Sequence, residues 1–165
     1  MVAAVALLAG PALSAYAATP TTPTAPTAPI EQARAAGLTD QQAGELQRQV
    51  DAVLARDPQA RQTSANTLAI PGATVTLPVP GQPAGAPRAC NEGHLCITDG
   101  RGVNYDYYRC GYYDFDGIGD GTFNNNQTPG TRARFYNSDG SERWSHVAKG
   151  TGTASWTPVY HIRPC

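Results

Sequence analysis

The order of apolar and polar positions divides the chain into stretches of different period. Residues 1–17, "MVAAVALLAGPALSAYA", are almost unbroken apolar and small. Residues 18–30, "ATPTTPTAPTAPI", have no period: Thr and Pro alternate with small side chains that bury little surface, so an extended spacer is expected. Over residues 31–80 the period becomes helical. Ala43, Leu46, Val50, Val53 and Leu54 fall on one stripe, Thr39 with Gln42 three residues later forms a capping box, Asp40 suits the positive end of the dipole, and Pro58 closes the pattern. A helix is predicted over 40–55. In "ANTLAIPGATVTLPVPG", Leu68 and Ile70, then Val75, Leu77 and Val79, flank Pro71-Gly72, which fits a type II turn in a β-hairpin. A helix plus hairpin without an aromatic is too small to stand alone. The segment is expected either to dock on the C-terminal half of the chain or to act as a pro-segment. Pro83, Gly85 and Pro87 mark a second linker over 81–89.

From Cys90 onward the period is two. Val103, Tyr105 and Tyr107 share one face, and Asn104, Asp106 and Tyr108 the other. The stretches "HLCITDGRGVNYDYYRCG" and "ARFYNSDGSERWSHVAKG" share one plan: a short apolar strand, an Asp-Gly turn, an alternating strand and a closing glycine. Asp99-Gly100 and Asp139-Gly140 lie forty residues apart, which sets Leu95 against Phe135 and Cys96 against Tyr136. Every aromatic residue except Tyr16 falls in this half. Two repeats with roughly four short strands each describe an all-β domain over 90–165, a pair of Greek keys packed as a sandwich.

Composition adds compartment more than chemistry. At 165 residues the chain has room for one ordinary domain plus extras, and a net charge of -1 gives no footprint for nucleic acid or an anionic membrane. Ala15-Tyr16-Ala17 before Ala18 has the form of a signal-peptidase site, although no Lys or Arg precedes the apolar run. Residues 1–17 therefore read as a signal peptide of a secreted protein. No later apolar run approaches a membrane span, so no stable membrane insertion is expected after cleavage. Cys90, Cys96, Cys110 and Cys165 read as two disulfides, with three pairings open. The short separation suits a local Cys90–Cys96 staple, which leaves Cys110 to reach Cys165. His94 between the first two raises a metal alternative, but the spacing is not a zinc pattern and oxidised cysteines do not ligate.

"CNEGHLCITDG", "RCGYYDF", "GTFNNNQTPGTRARFYNSDG" and the final "RPC" together resemble the secreted bacterial metalloproteinase inhibitors, peptidase inhibitor family thirty-six. The resemblance covers residues 90–165. It implies a βγ-crystallin-like double Greek key and an inhibitor that offers a rigid loop to an extracellular protease. No inhibitory contact is carried over to a residue of this chain. The residues themselves point away from an enzyme: His94, His146 and His161 sit in no nucleophile or zinc-protease motif, and nothing pairs Asp106 with Asp114 for acid–base work.

Two further stretches bear on binding. Asn124-Asn125-Asn126-Gln127-Thr128-Pro129 matches five of the six positions of a βγ-crystallin-type calcium motif, with Pro129 in place of the final serine. A calcium site there would draw on Asn124, Asn125 and Thr128, with Asp116 or Asp120 to supply charge. The competing reading is a turn in which Asn and Gly adopt left-handed backbone. The second repeat has only "TASWTPVY" at the equivalent place, so one site at most is implied. An EF-hand through Asp114, Asp116 and Asp120 fails, because Ile118 holds a ligand position and the closing glutamate is missing. Tyr105, Tyr107, Tyr108, Tyr112 and Tyr113 exceed what one small face can bury, so some should lie exposed as a binding surface. The functional expectations are thus a secreted protease inhibitor, a calcium-stabilised crystallin-like structural or cell-surface module, and a polysaccharide binder using the tyrosine face.

Overall fold

A computed structural model describes residues 28–83 and 89–165. The expected signal peptide, most of the Thr/Pro spacer and the centre of the second linker lie outside the described residues. The N-terminal part holds α1 (Pro29–Ala35), α2 (Asp40–Arg56), β1 (Arg61–Gln62), β2 (Thr67–Ile70) and β3 (Ala73–Thr76). The remainder holds β4 (Leu95–Thr98), β5 (Asn104–Tyr107), β6 (Tyr113–Asp114), β7 (Asp120–Asn125), β8 (Arg132–Tyr136), β9 (Glu142–Val147), β10 (Gly150–Ser155) and β11 (His161–Arg163).

Thr39 caps α2 as its sequence pattern requires. Its Oγ1 accepts from the Gln42 N–H, and the Gln42 side chain accepts from the Thr39 N–H at 2.9 Å. The buried positions of α2, Ala43, Leu46 and Val50, lie on the expected stripe. The short helix α1 has no counterpart among the expected elements. It starts at Pro29, inside the predicted spacer, because proline at the first helical position gives up an N–H that would have no partner there.

Two antiparallel sheets form the body. One has seven strands in the order β1-β2-β3-β5-β4-β7-β10, the other four in the order β6-β11-β8-β9. The all-β expectation for the C-terminal part is met, and the sheets respect the repeat. Strands β4 to β7 are one set and β8 to β11 the other. Each set keeps its first, second and fourth strands together and places its third strand in the other sheet: β6 beside β11, and β10 beside β7. The exchange is locked by a reciprocal pair of backbone bonds. Phe115 N–H donates to Tyr160 O at 2.8 Å, and Trp156 N–H donates to Gly119 O at 2.8 Å. Residues 115 and 156 stand in the same relation as 119 and 160, one residue longer than the spacing of the Asp-Gly turns.

The hairpin β2–β3 does not stand apart. Strand β3 pairs along its length with β5, from Ala73 opposite Tyr107 to Thr76 opposite Asn104. It therefore extends the first sheet of the C-terminal part. The inner face of the seven-stranded sheet carries Leu68, Val75, Tyr105, Tyr107, Leu95, Ile97 and Phe123, all buried. Helix α2 shares one continuous core with the β2–β3 end of this face, and the four-stranded sheet covers the rest. Trp156, with no exposure, is the centre of the second part. Phe115, Phe135 and Trp144 lie 5.6, 5.7 and 6.0 Å from it, centroid to centroid, and Phe135 stacks on Trp144 at 3.8 Å. Such ring pairs add stabilisation beyond the area that they bury.

Both disulfides form in the pairing that the spacing favoured, Cys90–Cys96 and Cys110–Cys165, and the thiols are therefore not available to a metal. They fit an oxidising compartment. Among the described residues no helix is long and apolar enough to cross a membrane. The two bridges close loops of very different length, with sequence separations of 6 and 55. Replacing Cys110 and Cys165 together by alanine should cost about 4 kcal/mol of unfolding free energy, against about 2.5 kcal/mol for Cys90 and Cys96. Urea denaturation of the two double variants checks the order.

Candidate functional site

The loop over residues 108–112, between β5 and β6, is exposed yet held at several points. Three restraints act on it. The N–H groups of Tyr108 and Arg109 both donate to Gly72 O, at 3.0 and 3.1 Å, so the turn of the N-terminal hairpin grips its start. The Cys110–Cys165 bridge ties its middle to the end of the chain. Tyr112 stacks on His161 with centroids 5.0 Å apart and leans on Tyr136 at 5.5 Å. Its ring is nevertheless 50 % exposed. Just beyond, the Tyr113 hydroxyl donates back to Arg109 O at 3.0 Å. The grip of the hairpin turn needs glycine at position 72. Its φ is +87°, and a Cβ there would run into the Tyr113 hydroxyl and stand 2.9 Å from the Arg109 Cβ.

Beneath this loop lies a cleft of about 780 Å³, between the C-terminal end of α2 and the segment through β6. Val53, Ile70, Pro71 and Val75 form its apolar side, Tyr105 and Tyr107 line its depth, and Tyr113, Phe115 and Asp116 face them. A polar network anchors one end. Asp99, 3 % exposed, accepts from the Arg101 and Val103 N–H groups at 2.9 Å each and from Arg101 Nε at 2.8 Å. Arg101 also donates to the Tyr105 hydroxyl and to Asp116 O. The Tyr105 hydroxyl donates to Asp116 Oδ1 at 3.0 Å, and the other Asp116 oxygen pairs with Arg56 of α2. Burial, reinforced by the nearby Asp116 and Asp99 carboxylates, pushes the Tyr105 phenol well above its ordinary range. Burial does the same to Tyr107. Both phenols are neutral at any physiological pH.

The tyrosines do not form one surface. Strand alternation turns Tyr105 and Tyr107 into the core, at 5 and 2 % exposure. Tyr113 is half-buried against Tyr107. Tyr108 and Tyr112 are exposed on different sides: Tyr108 beside His94 on the outer face of the seven-stranded sheet, Tyr112 beside His161 on the outer face of the other. Tyr160, which the sequence pattern does not single out, is 49 % exposed.

The asparagine run is not a left-handed turn. No described non-glycine residue has positive φ, and Asn124 and Asn125 are the last residues of β7. Alternate amides work on opposite sides. Asn125, with no exposure, donates across the core to His146 O at 3.1 Å, and Gln127, 4 % exposed, donates to Pro164 O at 2.7 Å. The first bond runs from β7 to β9, and the second joins residues just past the ends of β7 and β11. Asn126 faces the other way and donates to Cys90 O at 3.0 Å. The amides thus clamp the two sheets and the environs of both disulfides. The oxygen set proposed for calcium does not converge: Asn124 and Asn125 point to opposite faces, Asp120 is exposed at the far end of the strand, Thr128 lies past its end, and Asp116 is engaged by Arg56, Arg101 and Tyr105.

Two carboxylate–histidine contacts are also present. His94 Nδ1 is 2.6 Å from Asp106 Oδ1, and His161 Nδ1 is 2.9 Å from Asp114 Oδ1. Among the described residues, neither has a nucleophilic side chain within hydrogen-bond reach of the ring. Sequence reasoning missed Asp99, which holds Arg101 at the centre of the network with Tyr105 and Asp116. The signal was its place at the head of "DGRG", where an aspartate accepts from backbone N–H groups just downstream. No family model, curated protein or solved structure matches the chain.

Two substitutions test this arrangement. Gly72→Ala should cost about 2 kcal/mol, and amide exchange at residues 108 and 109 should rise by more than global destabilisation accounts for. Gln127→Leu, which leaves Pro164 O without its buried donor, should lower stability by about 1–3 kcal/mol, read as a fall in the urea midpoint at constant slope.

Proposed function

We propose that this chain is an exported binding protein that inhibits an extracellular metalloprotease, and that its scaffold is a βγ-crystallin-type double Greek key. The exchange of third strands between two four-strand sets supports the scaffold reading. The observation that carries the functional reading is the loop over residues 108–112: an exposed tyrosine ring on backbone fixed by a disulfide, by two hydrogen bonds to Gly72 O and by stacking.

A protease inhibitor needs this combination. Its affinity comes from a segment that loses little conformational freedom on docking, more than from contact area. Tyrosine is efficient at the centre of such a contact, since it brings a large amphipathic surface with few rotatable bonds. His161 and Tyr136 support Tyr112 from behind, which orders the ring before any partner arrives.

Titration against thermolysin-like proteases is expected to show inhibition at micromolar concentration or below. Tyr112→Ala should weaken it at least tenfold while the melting temperature changes little, because the ring is half exposed. Absence of inhibition across a panel of extracellular metalloproteases would overturn the reading.

A further inference from the structure

The outer face of the seven-stranded sheet, on the side away from the core and the cleft, carries a regular array. Its register brings side chains into two rows that cross five strands. One row runs Thr76, Asn104, Thr98, Thr122, Thr153, and each is the cross-strand partner of the next. The other runs Thr74, Asp106, Cys96, Asn124, Thr151. The rows line a groove of about 750 Å³, flanked by Ala89 and Asn91. Neighbouring strands stand about 4.8 Å apart, so each row is roughly 19 Å long, and the rows are separated by roughly 6.6 Å along the strands.

We propose that this groove binds a single extended chain of a neutral β-linked glycan. Four properties point to that chemistry. Apart from Asp106 and the disulfide-bonded Cys96, the rows are hydroxyl and amide, groups that donate and accept together as sugar hydroxyls do. Among the described residues, the hydroxyls of Thr74, Thr122, Thr151 and Thr153 make no hydrogen bond to protein, so they are free for a ligand. The one carboxylate in the rows, Asp106, is held by His94, and among the described residues no guanidinium or ammonium group lines the groove. Beside the second row, two residues past Asp106 along the chain, the Tyr108 ring, 42 % exposed beside His94, offers an apolar platform for the C–H face of a sugar. The threonines add order, because β-branching restricts χ1 and fixes where each hydroxyl points.

The sheet decides between a single chain and a crystal face. Neighbouring strands rotate by about 20–25°, so five strands turn the rows through roughly 80–100°. A separate, twisting chain can track that surface, whereas a plane of crystalline polymer or of ice cannot. Each sugar would gain only a few hydrogen bonds of modest net worth, so affinity should build with chain length.

The test is calorimetric titration of the whole protein with cellohexaose and with N-acetylchitohexaose, each against its disaccharide. At least one hexasaccharide should bind saturably, and at least tenfold more tightly than its disaccharide. The triple variant Thr74→Val, Thr122→Val and Thr151→Val keeps shape and β-branching. It should keep its melting temperature and its protease inhibition while losing at least tenfold in glycan affinity, and Tyr108→Ala should also lower glycan affinity at least tenfold. The proposal is overturned if neither hexasaccharide binds at millimolar concentration, if the triple variant binds like the parent, or if Tyr112→Ala abolishes binding and so moves the site to the other sheet. Shaping of ice crystals without glycan binding would also overturn it.

Discussion

The fold of residues 89–165 depends on two backbone hydrogen bonds that run in opposite directions between its halves. Phe115 reaches into the second half at Tyr160, and Trp156 reaches into the first at Gly119. Because each half has given its third strand to the other sheet, neither has a closed hydrogen-bonding ladder alone. Trp156, Phe115, Phe135 and Trp144 then fill the space between the sheets, and the buried amides of Asn125 and Gln127 tie the sheets across it. Chain crossing, aromatic packing and amide clamps all require the two halves to form together. The repeat in the sequence is therefore a repeat of parts, not of independently stable units.

The N-terminal segment is bound to this body by sheet extension. Strand β3 adds to β5, α2 joins the core behind the new strands, and Gly72 O holds the start of the loop that carries Tyr112. The cleft between α2 and the second sheet is a consequence. Two different layers cover one inner face, and they do not meet. Arg56 and Asp116 span the gap, which couples the helix to the Tyr105 network.

What the sequence revealed is what local physics determines. The capping box at Thr39, the Pro71-Gly72 turn, the alternation at Tyr105 and Tyr107 and the local cysteine staple each rest on neighbours within a few residues, and each is present. The addition of β3 to β5 was illegible, because antiparallel partners far apart in sequence leave no periodic signal. The asparagine run misled for a related reason. Asn and Gln are common in turns and in cation sites, but here strand alternation directs Asn125 inward to a carbonyl of the opposite sheet, and Gln127, just past the strand, turns inward to Pro164 O. Composition alone does not say which carbonyl an amide will meet. The rows of threonine were hidden because they exist only across strands.

The pairing of β3 with β5 has an effect that reaches beyond folding. A protease cut between Pro83 and Ala89 would sever the covalent link yet leave four cross-strand residue pairs and a common apolar core intact. The nicked molecule would persist as a two-fragment particle whose smaller piece departs only by partial unfolding. Its departure would lay open the backbone of β5 as a bare sheet edge, able to accept a strand from another chain.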